Sequence, residues 1–174
     1  MNRPRNLALL FVLTTAVYLL MLLVTVPRLR ALAGGLPIVD MLPWYEPAYI
    51  AELMARLGAQ GRHDYLYRQM PLDMVYPGLF ALTYAGLIAF WARALPWPQL
   101  RLAAALPPLA ALFDYLENAA MITLLGAYPA MPGWAMQASP LFSAAKTALV
   151  SLSLLACLGL GTAFAVRKWR ARRV

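Results

Sequence analysis

The stretch LALLFVLTTAVYLLMLLVTV, from Leu7 to Val26, decides the fold because its 20 consecutive residues carry no charge. A helix of that length rises about 30 Å, which is the thickness of the hydrocarbon core of a bilayer. A cleaved signal peptide is the alternative, since Arg3 and Arg5 precede the run and Ala31-Leu32-Ala33 has the pattern of a cleavage site. The run is longer than the usual signal core of about 7–15 residues, and Arg28 and Arg30 separate it from that site. The sequence therefore predicts an uncleaved first span.

The composition of the whole chain favours lipid as its surroundings. Of the 174 residues, 63% are hydrophobic and only 13% are charged, and the mean hydropathy is +0.64. Soluble domains are about 45–50% apolar and about 25% charged. Three more apolar stretches follow the first span, at about 72–92, 102–125 and 141–166. We therefore expect one all-α membrane domain over residues 1–174, a polytopic integral membrane protein with four transmembrane helices at about 7–26, 72–92, 102–125 and 141–166.

The first connection, at 28–70, is the longest, and part of it has the pattern of a short amphipathic helix at about 47–58. Pro47 suits a first helical position, and Glu52 and Arg56 form a favourable i,i+4 pair. Apolar residues recur along the opposite face, and Gly58 and Gly61 follow. We expect a helix that lies in the membrane interface and caps the bundle, or alternatively a lid over an outward cavity.

The distribution of Lys and Arg predicts the orientation, because basic residues concentrate at the cytoplasmic ends of spans. Basic residues lie at the start of the chain, in the second connection and at the end, whereas residues 126–140 contain none. They are Arg3, Arg5, Arg93, Arg101, Arg167, Lys168, Arg170, Arg172 and Arg173. The first connection is the exception, with five arginines. We expect both termini in the cytoplasm and, because 13 of the 15 basic residues are Arg, the inner (plasma) membrane of a bacterium.

Carboxylates inside the apolar stretches are the strongest indication of function. A charged side chain in hydrocarbon costs at least about 2.5–3.5 kcal/mol, so such residues face protein or a water-filled cavity. Asp114, Glu117 and Asn118 share one face of the third span, and Lys146 lies at a similar depth on the fourth, which predicts an ion pair between Lys146 and Glu117 or Asp114. Asp73 opens the second span from the same side.

These residues predict a polar pocket in the outer half of the bundle. Its candidate catalytic residues are Asp73, Asp114 and Glu117, since two carboxylates in one pocket can share a proton and activate water. Its candidate ligand-binding residues are Arg62, His63, Arg68, Tyr76, Asn118 and Lys146. The alternative is that the acids and bases pair off, fix the helix register and leave no group free.

Single copies of histidine and cysteine exclude several kinds of site. His63 is the only histidine, so a bis-histidine haem or a conventional His-ligated zinc site is not expected, and Cys157 is the only cysteine. We expect no metal and no cofactor. The net charge of +8 does not indicate nucleic-acid binding, because five basic residues form one tail suited to anionic lipid.

The chain resembles, in outline, the lipoprotein signal peptidases, which are intramembrane aspartyl proteases. The resemblance lies in its size, its four spans and its outward-facing acids. The plan is also similar to four-span sterol-isomerase-like and sigma-2-receptor-like proteins. Neither resemblance covers a motif, and the Asn-rich and Gly-Asn-x-x-Asp-Arg-like signatures of the peptidases are missing around Asp73 and Asp114. No catalytic residue is transferred from these families.

Three functions remain open from the sequence. The first is an enzyme acting on a lipid or lipid-linked substrate at the outer leaflet, with Asp114 and Glu117 as acid and base and with Arg62 or Arg68 holding an anionic head group. The second is a non-catalytic component, either an accessory subunit of a larger membrane complex or a binder of a lipophilic ligand. The third is a proton-coupled carrier, for which four spans are few unless the chain forms a homo-oligomer. The expected partners are therefore membrane lipid and other membrane subunits or copies of this chain.

Overall fold

The computed structural model describes residues 4–172, and this part of the chain is helical without a strand. Arg3 and Arg173, two of the basic residues that predict the orientation, lie outside the described residues. Six α-helices follow one another along the chain. They are α1 (Pro4–Leu20), α2 (Val26–Leu32), α3 (Pro47–Asp64), α4 (Met70–Arg93), α5 (Leu106–Ala127) and α6 (Gly133–Arg170).

Short non-α turns join several of these helices into longer rods. A π-helical turn at Met21–Thr25 links α1 to α2, another at Tyr65–Gln69 links α3 to α4, and a 3₁₀ segment at Pro98–Ala105 precedes α5. The result is four helical rods, the second of them bent at Gly58, that are long and apolar enough to span a membrane: Arg5–Leu32, Pro47–Arg93, Pro98–Ala127 and Gly133–Arg170.

The rods run alternately up and down. The connections at 33–46 and 128–132, together with α3, lie at one end of the bundle, which we name the loop end. Arg5, Arg93 and Arg167 lie at the opposite end, which we name the arginine end, where Nη1 of Arg167 donates to the carbonyl of Ala94 at 2.6 Å. Large apolar side chains such as Leu23 in the first π-helical turn and Leu158 on α6 are exposed, 68% and 70%, as expected of helices that are apolar enough to face lipid.

The helices of the bundle pack closely except for α1 and α6. The helices α5 and α6 form the most extensive pair, and α4 packs against α1, α5 and α6. Small residues permit the close approach of α5 to α6. By contrast, α1 packs mainly on α4 and is not a principal neighbour of α6 within the described residues. A lateral opening therefore lies between α1 and α6, with α4 as its floor.

The predicted helix at 47–58 breaks at Gly58 as expected, but a second helical segment follows it to Asp64 within α3. The helix predicted at 141–166 is longer than expected, because α6 begins at Gly133 and passes through Pro140. Gly58 has φ 61° and ψ −174°, a conformation that is essentially restricted to glycine. The chain therefore bends at Gly58 and resumes its helix. Nη1 of Arg62 donates to the carbonyl of Met54 at 2.7 Å, which satisfies an acceptor beside the bend.

We predict that Gly58→Ala destabilises the protein by about 1–3 kcal/mol, because a Cβ is strained at this backbone conformation. Gly126→Ala is the matched control, since Gly126 is helical and a Cβ there meets nothing within 4 Å. Thermal unfolding in detergent measures both variants. Equal melting temperatures for Gly58→Ala and the wild type would contradict the assignment of the bend.

Candidate functional site

The core of the site is an ion-paired cluster between α5 and α6. Lys146 Nζ lies 2.5 Å from Oε2 of Glu117 and 3.4 Å from Oδ1 of Asp114, which confirms the ion pair predicted with one or other acid and shows that Lys146 contacts both. The side chains are covered, with exposures of 12% for Lys146, 10% for Asp114 and 0% for Glu117. In such surroundings an unpaired charge is costly, so the three groups hold one another in place.

Tyr45, from the connection between α2 and α3, covers this cluster on the side of the loop end. Its hydroxyl donates to Oε1 of Glu117 at 3.2 Å and lies 2.6 Å from Oγ of Ser139. Burial, followed by the nearby charge of Glu117, raises the pKa of Tyr45, so the phenol keeps its proton. Oγ of Ser143 donates to the carbonyl of Leu42 at 2.9 Å and fastens the same connection to α6.

A backbone defect fixes α4 beside α5. Pro77 has no N–H, so the carbonyl of Asp73, four residues earlier, lacks its helical donor. Nδ2 of Asn118 supplies the missing hydrogen bond at 2.9 Å. The carboxyl group of Asp73 is thereby held at the face of α4 that looks toward the cluster, and Nε2 of Gln69 donates to its Oδ2 at 3.3 Å.

A cavity of about 210 Å³ lies next to the cluster, in the opening between α1 and α6. Its polar wall contains three carboxyl groups and one ammonium group, and the rings of Tyr18 and Tyr76, with centroids 5.8 Å apart, form part of its side. The charged lining residues are Asp40, Asp73, Asp114 and Lys146. The remaining lining is mostly apolar and comes largely from the first rod, Arg5–Leu32, and from α6. A concave, largely apolar space with a few convergent polar groups is typical of a small-molecule site.

Asp40 is the member of this wall that sequence reasoning did not select. Its carboxyl group lies beside Asp73 and Tyr65, yet both oxygens are buried and neither has a partner in hydrogen-bonding geometry. Burial, followed by the charge of Asp73, raises the pKa of Asp40 well above its usual value. Asp40 therefore favours its protonated form. Its position within the apolar segment 36–44 was the available signal, because Ile38 and Val39 are fully buried and carry the acid inward.

The structure brings together only some of the predicted site residues. Asp73, Tyr76, Asp114 and Lys146 line the cavity, whereas Glu117 lies behind Lys146 and Asn118 is bonded to the backbone of Asp73. Arg62, His63 and Arg68 do not line it. Arg62 stacks on the ring of Tyr128 at 3.9 Å, and Arg68 lies 3.4 Å from Asp64, which also contacts His63. Arg62 therefore packs within the loop end, whereas the side chains of His63 and Arg68 are more than half exposed beside Asp64.

Comparisons with known proteins give no family for this chain: no protein-family model, curated protein or solved structure matches it. Among residues 4–172, no group of three or more His, Cys, Asp or Glu side chains has the arrangement of a metal site.

We predict that Lys146→Met destabilises the protein by about 3–5 kcal/mol, because it leaves Glu117 buried without its cation. The double variant Lys146→Met with Glu117→Gln should recover most of that loss, since it removes both members of the pair. Arg56→Met with Glu52→Gln is the matched control at an exposed pair, 2.9 Å apart, for which we expect a coupling of at most about 1 kcal/mol. Unfolding titrations in detergent measure the two double-mutant cycles, and equal couplings would contradict the structural role of Lys146.

Proposed function

We propose that this chain is an integral membrane enzyme whose acidic cavity receives a lipid or lipid-linked substrate from the side and carries out acid–base chemistry on it. The observation that carries the proposal is the cavity between α1 and α6, which places Asp40, Asp73 and Asp114 at an opening flanked by lipid-facing helices. A substrate dissolved in the bilayer can reach these acids without crossing water.

The depth of the acids supports a head-group-level site. If Arg93 and Arg167 mark one boundary of the hydrocarbon, the other lies about 20 residues back along each helix. That count reaches Asp73 on α4 and Thr147 on α6, both of which line the cavity. The acids therefore meet the polar part of a lipid, while its apolar part stays between the helices.

The roles follow from the surroundings of each acid. Asp40, which holds its proton, is the proposed general acid, and Asp73, whose carboxyl accepts only from Gln69 among the described hydrogen bonds, is the proposed base. Asp114 already contacts Lys146 at 3.4 Å, so its proposed role is to position the polar group of the substrate. Glu117 keeps a structural role as the closer partner of Lys146.

A second candidate is a non-catalytic binder or accessory subunit. The observation that favours it is that Lys146 already engages two of the four acids, Asp114 and Glu117. Such a protein would hold a lipophilic ligand or a neighbouring subunit in the same opening and leave it chemically unchanged.

The loop end is proposed to face outward, with both termini in the cytoplasm of a cell whose inner (plasma) membrane holds the bundle. Arg5, Arg93 and Arg167 at the opposite end support this orientation. The arginines of the first connection contact local partners: Arg28 lies 2.6 Å from Asp64, and Arg56 pairs with Glu52.

We predict that a cysteine introduced by Glu52→Cys in a Cys157→Ser background reacts with a membrane-impermeant maleimide on intact cells. A cysteine introduced by Arg170→Cys in the same background should react only after the membrane is permeabilised. The readout is the mass shift of the labelled protein. The reverse pattern would contradict the proposed orientation.

The catalytic proposal is tested by incubating the purified protein in vesicles made from lipids of its own host membrane. Mass spectrometry then follows each lipid species. We expect at least one species to be converted by the wild type, and Asp73→Asn to slow that conversion by about 10²–10⁴-fold, as the loss of a general base does. Glu52→Gln, an exposed acid away from the cavity, is the control and should keep the wild-type rate.

The alternative outcomes of this assay are also informative. A lipid that stays with the wild-type protein, is lost from Asp73→Asn and is never converted would replace the enzyme by the binder. If no lipid is retained or converted, the cavity is not a lipid site and the proposal fails.

A further inference from the structure

We infer that the molecule received by the cavity is a long-chain amphiphile with a cationic amine head group, and that its chain lies in a groove running from the cavity along α4 and α6. This inference rests on the proposed function, because it names the class of ligand for the same site. Head group and chain are supported by different observations.

The charge balance of the cavity wall favours a cationic head group. Three carboxyl groups line the wall, and the only ammonium group there, on Lys146, is already 2.5 Å from Glu117, an acid outside the lining. Both oxygens of Asp40 are buried without a hydrogen-bond partner. Buried acceptors are normally satisfied, so an unmatched carboxyl at a cavity indicates a donor that binds there. An ammonium group would donate to an oxygen of Asp40, which can accept even when protonated, and would place its positive charge beside Asp73, the proposed base that Lys146 does not contact.

Aromatic rings beside the acids suit the same head group. The rings of Tyr18 on α1 and Tyr76 on α4 face each other at 5.8 Å and both line the cavity. A cation is attracted to the face of an aromatic ring within about 6 Å of its centroid. The two tyrosine rings would therefore contact the ammonium group and its first methylene groups, while Asp73 forms the ion pair with the ammonium group.

The groove for the chain begins where the cavity ends. Ser151 lines the cavity, and Leu154, three residues further along α6, lines an apolar groove of about 490 Å³. The groove continues with Leu158, Gly161 and Ala165 at steps of three and four residues, so that cavity and groove lie on one face of α6. On the side of α4 its lining is Tyr84 and Trp91.

Trp91 and Gly161 set the far end of the groove. A Cβ at position 161 would lie 3.2 Å from the ring of Trp91, so the glycine allows the indole to lie close against α6. Trp91 also borders the apolar space next to α1, which places the groove on the side of α4 that carries the cavity. From Asp73 to Trp91 the helix rises about 27 Å, close to the hydrocarbon thickness of about 30 Å, so the groove suits a long chain.

The test uses the full-length protein in phosphatidylcholine nanodiscs and three probes with the same bromine-terminated C18 chain: an amine, an alcohol and a carboxylic acid. Bromine at the end of the chain quenches the fluorescence of Trp91 when the chain fills the groove. The signal of Trp91 is the difference between the wild type and Trp91→Phe. We expect saturable quenching by the amine at a mole fraction at least 10-fold lower than for the alcohol, and none by the acid.

Variants separate the head group from the chain. Asp73→Asn should reduce the preference for the amine over the alcohol to less than 3-fold. Leu158→Phe, which fills the groove, should weaken the amine at least 5-fold. Leu155→Phe is its matched control, because Leu155 is also exposed on α6, 66% against 70%, but does not line the groove. The comparison of the three probes on the wild type needs no variant and stands even if one fails to fold.

Each other result contradicts a defined part of the account. Equal saturable quenching by all three probes would overturn the cationic head group but leave the lipid site and its groove. Lipid conversion without saturable quenching of Trp91 would overturn the groove and leave the proposed enzyme. Absence of both conversion and saturable binding would overturn the inference and the proposed function together.

Discussion

The contact of Lys146 with Glu117 and Asp114 is the constraint on which the rest of the structure depends. Four carboxyl groups lie among apolar helices at the loop end, and a single lysine, with Nζ 2.5 Å from Glu117 and 3.4 Å from Asp114, fastens α5 to α6 there. Ion pairs that are this well covered stabilise only when their remaining hydrogen bonds are satisfied. The hydroxyl of Tyr45 donates to Oε1 of Glu117, and this contact holds the connection between α2 and α3 against the bundle. The same connection places Asp40 at the wall of the cavity.

The helices pack more closely on the α5–α6 side than between α1 and α6. This difference explains why Asp40 and Asp73, unlike Asp114 and Glu117, are not paired with Lys146. The ion-paired cluster closes the α5–α6 side, where small buried residues such as Ala120 and Ser139 allow close contact, whereas α1 packs mainly on α4 within the described residues. Thr14 and Thr83, whose hydroxyls lie 2.8 Å apart, contribute to that attachment. The side between α1 and α6 has no comparable contact among the described residues, and Asp40 and Asp73 lie there. Structural pairing and an accessible site can therefore coexist in one cluster of acids.

The sequence predicted the features that depend on helical periodicity. It did not predict the features that depend on how an irregular segment folds back onto the helices. Apolar run lengths predicted helices compatible with four spans, and spacing on α5 predicted that Asp114 and Glu117 share the face that meets Lys146. The position of Asp40 at the cavity wall could not be derived from the sequence, because it depends on how the irregular connection between α2 and α3 folds back onto the bundle. Arg62 shows the same limit: its guanidinium is held by the bend at Gly58, a backbone conformation that residue spacing does not reveal. The assignment of a catalytic site stays a prediction.

A structure of the wild-type protein in lipid nanodiscs, at a resolution that shows bound lipid, tests the central claim most directly. The account predicts elongated density that enters between α1 and α6, with its polar end within hydrogen-bonding distance of Asp40 or Asp73. Packing of α1 directly against α6, with the cavity closed and no lipid beside the two acids, would contradict it. In that case the four acids would serve only to hold the helices together.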